Sequence, residues 1–379
     1  MRLTLLAFAA GVALELSGCE PATFVTEPPW TLSGRIVLNA IGGNGNNLGI
    51  VLFDLNVSEI PKLDVIPNGI EPRVSARGLE LAYSGTEAGK IDIFRSDITG
   101  SGIVDLTPDS TSIDSWPDWS PDDSAVCFTR VMPYPPFREE LFIVTNDALH
   151  RRIITDTAQL QTATMPRWSP DGTKIAFMGN PSGNISPAYS LYTISPDGSH
   201  ALRLDDIGSM LPASLPAWAP DSRSIAYART YGMSDRNAPQ SLTDTTGGLC
   251  VVDAAAGIPE KINIQGVNVI GMGYSWLSST ELICVGESVA DSLSGYGIYR
   301  ALVSAPAGAT FLAGGFRPVP TTVCSPDGKY VAIVGTADTS SAFALFVVGS
   351  DGKGFRKLKD IASDPKAFVN DWGDIQWIR

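Results

Sequence analysis

The sequence predicts an all-β fold, a seven-bladed β-propeller of four-stranded antiparallel blades in which the last blade is closed by both chain ends. Three observations lead there. A Trp-Ser-Pro-Asp-Gly element recurs along the 379 residues, each copy is followed by the same order of short apolar runs and turn residues, and no segment carries a sustained helical period.

The copies match position for position. Trp119-Ser-Pro-Asp-Asp-Ser-Ala-Val-Cys-Phe128, Trp168-Ser-Pro-Asp-Gly-Thr-Lys-Ile-Ala-Phe177 and Trp218-Ala-Pro-Asp-Ser-Arg-Ser-Ile-Ala-Tyr227 are the clearest. Cys324-Ser-Pro-Asp-Gly-Lys-Tyr-Val-Ala-Ile333 is a fourth, and two decayed copies begin at Val74 and Trp276. Successive anchors (74, 119, 168, 218, 276, 324) lie 45, 49, 50, 58 and 48 residues apart, and Trp377, 53 residues on, is read as a seventh. About 50 residues is near the length of one four-stranded blade.

Each unit is legible in its turn chemistry. In Pro-Asp-Gly, proline presets φ, the aspartate bonds the backbone ahead of it, and glycine accepts a positive φ, so the element joins two antiparallel strands. A third apolar strand follows, as in Ile91–Phe94, Leu141–Val144, Leu191–Ile194, Leu249–Val252, Tyr299–Leu302 and Ala344–Val347. A polar turn such as Asp197-Gly198 or Asp351-Gly352 then leads to an outer strand. The seventh unit ends after its anchor, and Gly34–Leu38, Gly49–Phe53 and Lys62–Ile66 supply its remaining strands from the N-terminus. Closure by both ends leaves no exposed sheet edge. Six blades is the alternative count.

These repeats resemble those of the TolB-like propeller family of bacterial envelope proteins, over nearly the whole chain after its N-terminal segment. The resemblance implies a rigid cell-envelope propeller that binds another protein. It carries no implication for any one catalytic residue.

Residues 1–18 read as a lipoprotein signal peptide. Arg2 is its positive end, Leu3–Leu14 its apolar run, and Leu16-Ser17-Gly18-Cys19 resembles a bacterial lipobox. Cys19 would carry the lipid, residues 19–33 would form a tether, and 34–379 a single propeller domain. Loss of residues 1–18 removes one positive and one negative charge, Arg2 and Glu15, so the net charge stays at -13. That acidity excludes nucleic acid as a partner, because phosphate binding needs a basic patch. Membrane attachment would come from the lipid, and the chain is expected to be a monomer. Cys127, Cys250, Cys284 and Cys324 read as buried thiols, with a bond between Cys250 and Cys284 left open.

The repeated Trp, Asp and Gly residues read as structural because they recur at turn and core positions. Gly286-Glu-Ser288-Val-Ala290 approaches a nucleophile elbow but has no helix after it, and Gly42–Gly49 lacks the lysine and helix of a phosphate loop. No α/β-hydrolase domain of the kind that accompanies propellers in prolyl peptidases is recognised. No catalytic constellation emerges and the chain is expected not to be an enzyme, with no cofactor and no metal ligands. Recognition is instead expected on the long connections between second and third strands, through Tyr134, Phe137, Arg138, Tyr231 and Arg236, with an unidentified envelope protein as partner. A carbohydrate- or ligand-binding propeller, or a degenerate hydrolase or lyase working in the central funnel, is the alternative. Carboxylates and basic residues clustered in that funnel would favour it.

Overall fold

The computed structural model describes residues 32–41, 47–57, 62–87, 89–108, 111–132, 138–156, 158–181, 189–207, 215–229, 248–270, 273–290, 295–316, 320–336, 343–361, 368–369 and 375–379. Among them there is no α-helix, and the strands follow the repeat. The first unit is a four-stranded antiparallel sheet of Ile70–Val74, Glu80–Glu87, Lys90–Asp97 and Val104–Asp105. The units anchored at Trp218 and Cys324 repeat this order in four strands, and the unit anchored at Trp276 in five.

The units anchored at Trp119 and Trp168 are joined. Glu139 pairs in parallel with Thr162, which fuses their strands into one sheet of eight. Hydrogen bonding therefore yields six sheets among the described residues, where seven separate four-stranded ones were expected. The parallel pairing at one rim is the physical cause of the difference.

The remaining sheet holds both chain ends. Gln376–Ile378 runs antiparallel to Arg35–Ile41 with Trp377 opposite Ile36, Phe368–Val369 pairs with the end of the same strand, and Asn47–Asp54 and Lys62–Ile66 complete the sheet. Arg35–Ile41 and Asn47–Asp54 pair antiparallel on either side of the glycine-rich segment, as a hairpin does. Gln376 then ties this sheet to the first unit: its Nε2 donates to the Pro72 carbonyl at 2.6 Å, and its Oε1 accepts from the Val74 amide at 2.9 Å.

The core lies between neighbouring sheets. Ala82, Ile93 and Leu106 of the first unit pack against Trp119, Val126 and Phe128 of the next, and similar clusters join later units in sequence order. Each sheet is apolar on both faces for this reason. Burial of such side chains stabilises by roughly 1.5–3 kcal/mol apiece.

The repeat residues explain themselves here. Ser120, Ser169 and Ser325 each donate to the turn aspartate two residues on, at 2.6, 2.6 and 2.7 Å, and each accepts the amide five residues on. The hydroxyl of Ser120 holds the Asp122 carboxyl below its usual range, aided by the side chain and amide of Ser124. Gly172 and Gly328 take φ of 73° and 70° at the turn, a region that costs other residues roughly 1–2 kcal/mol. Asp123 and Ser222 occupy the same place at 62° and 61°. They compensate by reaching the preceding unit: Asp123 accepts the amides of Ala76 and Arg77, and Ser222 accepts the amide of Asp171.

The anchor indoles also cross between units. Nε1 of Trp119, Trp218 and Trp276 donates to the carbonyls of Arg73, Arg167 and Ala217, at 3.0, 2.9 and 2.9 Å. Each acceptor is the residue just before the previous anchor. Trp168 Nε1 is buried without a partner among the described residues.

Candidate functional site

The innermost strands converge on a cavity of about 290 Å³. Its wall is made by the residues just before the anchors, among them Arg73, Asp118, Arg167, Ala217, Ser275 and Val323, with Trp168 and Trp218 themselves. These come from six successive repeat copies, and Ile375, two residues before Trp377, lines the cavity as well. An undistorted strand would turn only every second residue inward. Three of these strands are not regular: Glu71, Trp116 and Met165, each three residues before its anchor, have φ of 55°, 56° and 57°, and the pairing register shifts at each. Bulges of this kind re-aim side chains and cluster next to functional sites. Consecutive residues also line the cavity at Leu215–Trp218 and Thr321–Val323, where the strand pairing keeps its register.

One wall is charged. Arg73 Nε donates to Asp118 Oδ1 at 2.8 Å, and the other carboxylate oxygen accepts the Trp168 amide at 2.7 Å. Arg167, 4% exposed, stands next along the ring and donates from Nη1 to its neighbouring Pro166 carbonyl at 2.7 Å. The opposite wall is hydroxylic and aromatic. Thr322 Oγ1 donates to the Gly273 carbonyl at 2.7 Å, the Tyr274 hydroxyl donates to the Leu215 carbonyl at 2.6 Å, and Ser275 Oγ lies 3.1 Å from Cys324 Sγ. Burial pushes the Cys324 thiol up to about 12, so it is not a thiolate at neutral pH.

A second charged group serves the fold. Arg130 donates to both oxygens of Asp114, at 2.8 and 2.6 Å, and lies 5.7 and 4.9 Å above the rings of Phe128 and Phe142. Near it Asp92, 3% exposed, is pushed up to about 6 by burial and then by Asp105 and Asp114.

Of the residues expected to bind a partner, Arg138 begins the strand Arg138–Thr145, half-buried and opposite Met132. Tyr134, Phe137, Tyr231 and Arg236 lie outside the described residues, as does Cys19. Ser288 ends the strand Glu281–Ser288, paired with Val267, which is not the sharp turn a nucleophile elbow requires. Cys127, Cys250, Cys284 and Cys324 form no disulfide, and the first three are buried. Among the described residues no group of three or more His, Cys, Asp or Glu is placed to hold a metal ion. Sequence reasoning missed Arg73, Asp118 and Arg167. Their signal was a charged residue immediately before the anchor in three successive units.

No protein-family model matches the chain, and no curated protein matches it. Solved structures do. A puromycin hydrolase, crystallised as its S511A mutant with PGG, aligns over 88% of this chain with a TM-score of 0.64 at 17% identity. The chain spans 54% of that protein's length. An oligogalacturonate lyase from Vibrio parahaemolyticus aligns over 87% of both chains with a TM-score of 0.57 at 14% identity. The fold is a β-propeller. TolB from Acinetobacter baumannii is matched as well, over 91% of this chain and 82% of its own, with a TM-score of 0.47 at 16% identity.

These likenesses correct the expectation that the chain is not an enzyme. Propellers of this shape include a hydrolase and a lyase by name, so the fold gives no ground for excluding catalysis. The sequence argument failed for a physical reason. It sought neighbouring residues in linear motifs, whereas a propeller assembles a site from side chains about 50 residues apart.

Proposed function

We propose that the protein is a seven-bladed, TolB-like propeller of the bacterial cell envelope that binds a small-molecule ligand in its central cavity. The observation that carries this reading is the convergence of Arg73, Asp118 and Arg167 on one wall of the cavity, facing the hydroxyls of Thr322, Tyr274 and Ser275 on the other. A concave site with apolar walls and a few placed polar groups is the usual form of a ligand pocket, and about 290 Å³ is at the small end of the range. The seven-blade count is supported by dividing the eight-stranded sheet at its parallel pairing, which gives Trp119 and Trp168 four strands each. Attachment through a lipid on Cys19 is part of the proposal, supported by Leu16–Cys19.

The test is thermal stabilisation by a panel of sugars and organic acids, read for the wild type and for Ala217→Phe, which narrows the cavity. A panel member that stabilises the wild type and not the variant is the expected result. Equal stabilisation of both, or none by any member, would refute the reading.

A protein partner on the rim from which 133–137 and 230–247 depart is the second reading. It is favoured by Met132, exposed at that rim opposite Arg138, since methionine and arginine are enriched at interfaces. Changing Tyr134, Phe137, Arg138, Tyr231 and Arg236 together to alanine should then abolish capture of one defined envelope protein. Retained capture by this variant would count against the rim.

A further inference from the structure

The chemistry of the charged wall reaches further than a generic ligand, and this step rests on the central cavity being a ligand site. Arg73 contributes a guanidinium with five N–H donors, of which only Nε is used, on Asp118. Its two terminal amino groups have no partner among the described residues, and its side chain is 21% exposed at the cavity wall. Asp118 is occupied on both oxygens, by Arg73 Nε and by the Trp168 amide. The carboxylate therefore holds the guanidinium from the side and leaves its end-on pair of parallel N–H donors turned to other acceptors.

We propose that the cavity selects a small organic acid whose carboxylate docks end-on against Arg73. Two parallel N–H donors match the two oxygens of a planar carboxylate, the bidentate pairing in which arginine excels. Arg167, buried beside this wall, makes the lining two cations to one anion in a chain of net charge -13, so the positive balance is local to the cavity. The faces of Trp168 and Trp218, with Leu215, Pro216 and Ile375, supply an apolar bed for the body of the ligand, and Thr321, Thr322 and Ser275 supply hydroxyls opposite. The cavity size restricts that body to a single small ring or short chain.

The experiment uses the full chain at pH 7. Tryptophan fluorescence and melting temperature are followed while benzoate and glucuronate are titrated against their uncharged amides, benzamide and glucuronamide, and against inorganic phosphate. The expected result is at least tenfold tighter binding of each acid than of its amide and of phosphate, with a tenfold or greater loss in Arg73→Lys. That variant keeps the charge facing Asp118 but lacks the fork, and its melting temperature reports whether it folds. Amides that bind as tightly as the acids would overturn the inference and leave the cavity a ligand site for neutral compounds. Phosphate as tight as the acids, or Arg73→Lys unchanged, would overturn the carboxylate fork. Absence of binding by every compound, with none found in the wider panel, would overturn the ligand site itself.

Discussion

Trp168 and Trp218 form a controlled pair for weighing what the anchor indole contributes. Both are half-buried in the same frame position, both line the central cavity, and they differ in one bond. Trp218 Nε1 donates to the Arg167 carbonyl at 2.9 Å, whereas Trp168 Nε1 is buried without a partner among the described residues. Trp→Phe removes similar volume at each site. At 218 it also removes a hydrogen bond and strands a carbonyl between two units, a cost of about 1–2 kcal/mol, while at 168 it removes an unsatisfied donor and costs nothing on that account. Across the unit Thr31–Arg379, ~2.1 cal/mol/K of unfolding entropy per residue makes 1 kcal/mol worth roughly 1.4 °C. Trp218→Phe is therefore expected to melt about 1–3 °C below Trp168→Phe by calorimetry. Equal shifts would refute the argument that the anchors act as hydrogen-bonded staples rather than as packing alone.

Two further outcomes follow from the buried charges. Asp92 has a folded pKa of about 6, above that of the unfolded chain, so the folded state holds a proton through the window from about pH 4 to 6 and loses stability as pH rises across it. Asp92→Asn should match the wild type near pH 4 and exceed it at pH 7.5 by on the order of 1–2 kcal/mol after allowance for screening, read by denaturant titration at both pH values. A gain that is the same at both would rule out ionisation as the cause. Arg130→Met leaves the fully buried Asp114 carboxylate unpaired and should cost about 3–5 kcal/mol, most of it recovered on adding Asp114→Asn. A double variant no more stable than Arg130→Met would show that the arginine acts through its stacking on Phe128 and Phe142.

Much of the fold was legible because a blade is specified locally. Pro-Asp-Gly and the Asp-Gly pairs mark turns through backbone chemistry that needs no knowledge of the rest of the chain, and Gly172, Gly198, Gly328 and Gly352 all take the positive φ those turns require. The return of the N-terminal strands to Trp377 was readable as well, since an unfinished unit at one end met surplus strands at the other. Three things were not readable. The pairing of Glu139 with Thr162 joins two units through strand edges whose approach depends on the packing of the ring. The bulges at Glu71, Trp116 and Met165 place residues of unlike chemistry at positive φ, so composition carries no mark of them. Asp123 and Ser222 stand where other units have the turn glycine, and their side chains bind the preceding unit, a role visible only when two units are seen together.

The division between what repeats and what does not follows from the geometry of a ring. The anchors Trp119, Trp218 and Trp276 meet the same surroundings, a neighbouring sheet and a carbonyl one unit back, so one residue type serves and tryptophan recurs. The residue before the anchor meets a different requirement, because at six of these positions it lines the central cavity. Seven copies of one charge there would repel, and a ring of identical groups would suit only a ligand of matching symmetry. Arg73, Asp118, Arg167, Ala217, Ser275, Val323 and Gln376 accordingly have five different chemistries: a cation, an anion, a hydroxyl, an amide and small apolar groups. Gln376 is used to close the ring on Pro72 and Val74, and Asp118 to hold Arg73. The guanidinium of Arg73 is the group that the proposed ligand would meet, at a position where the repeat imposes no residue type.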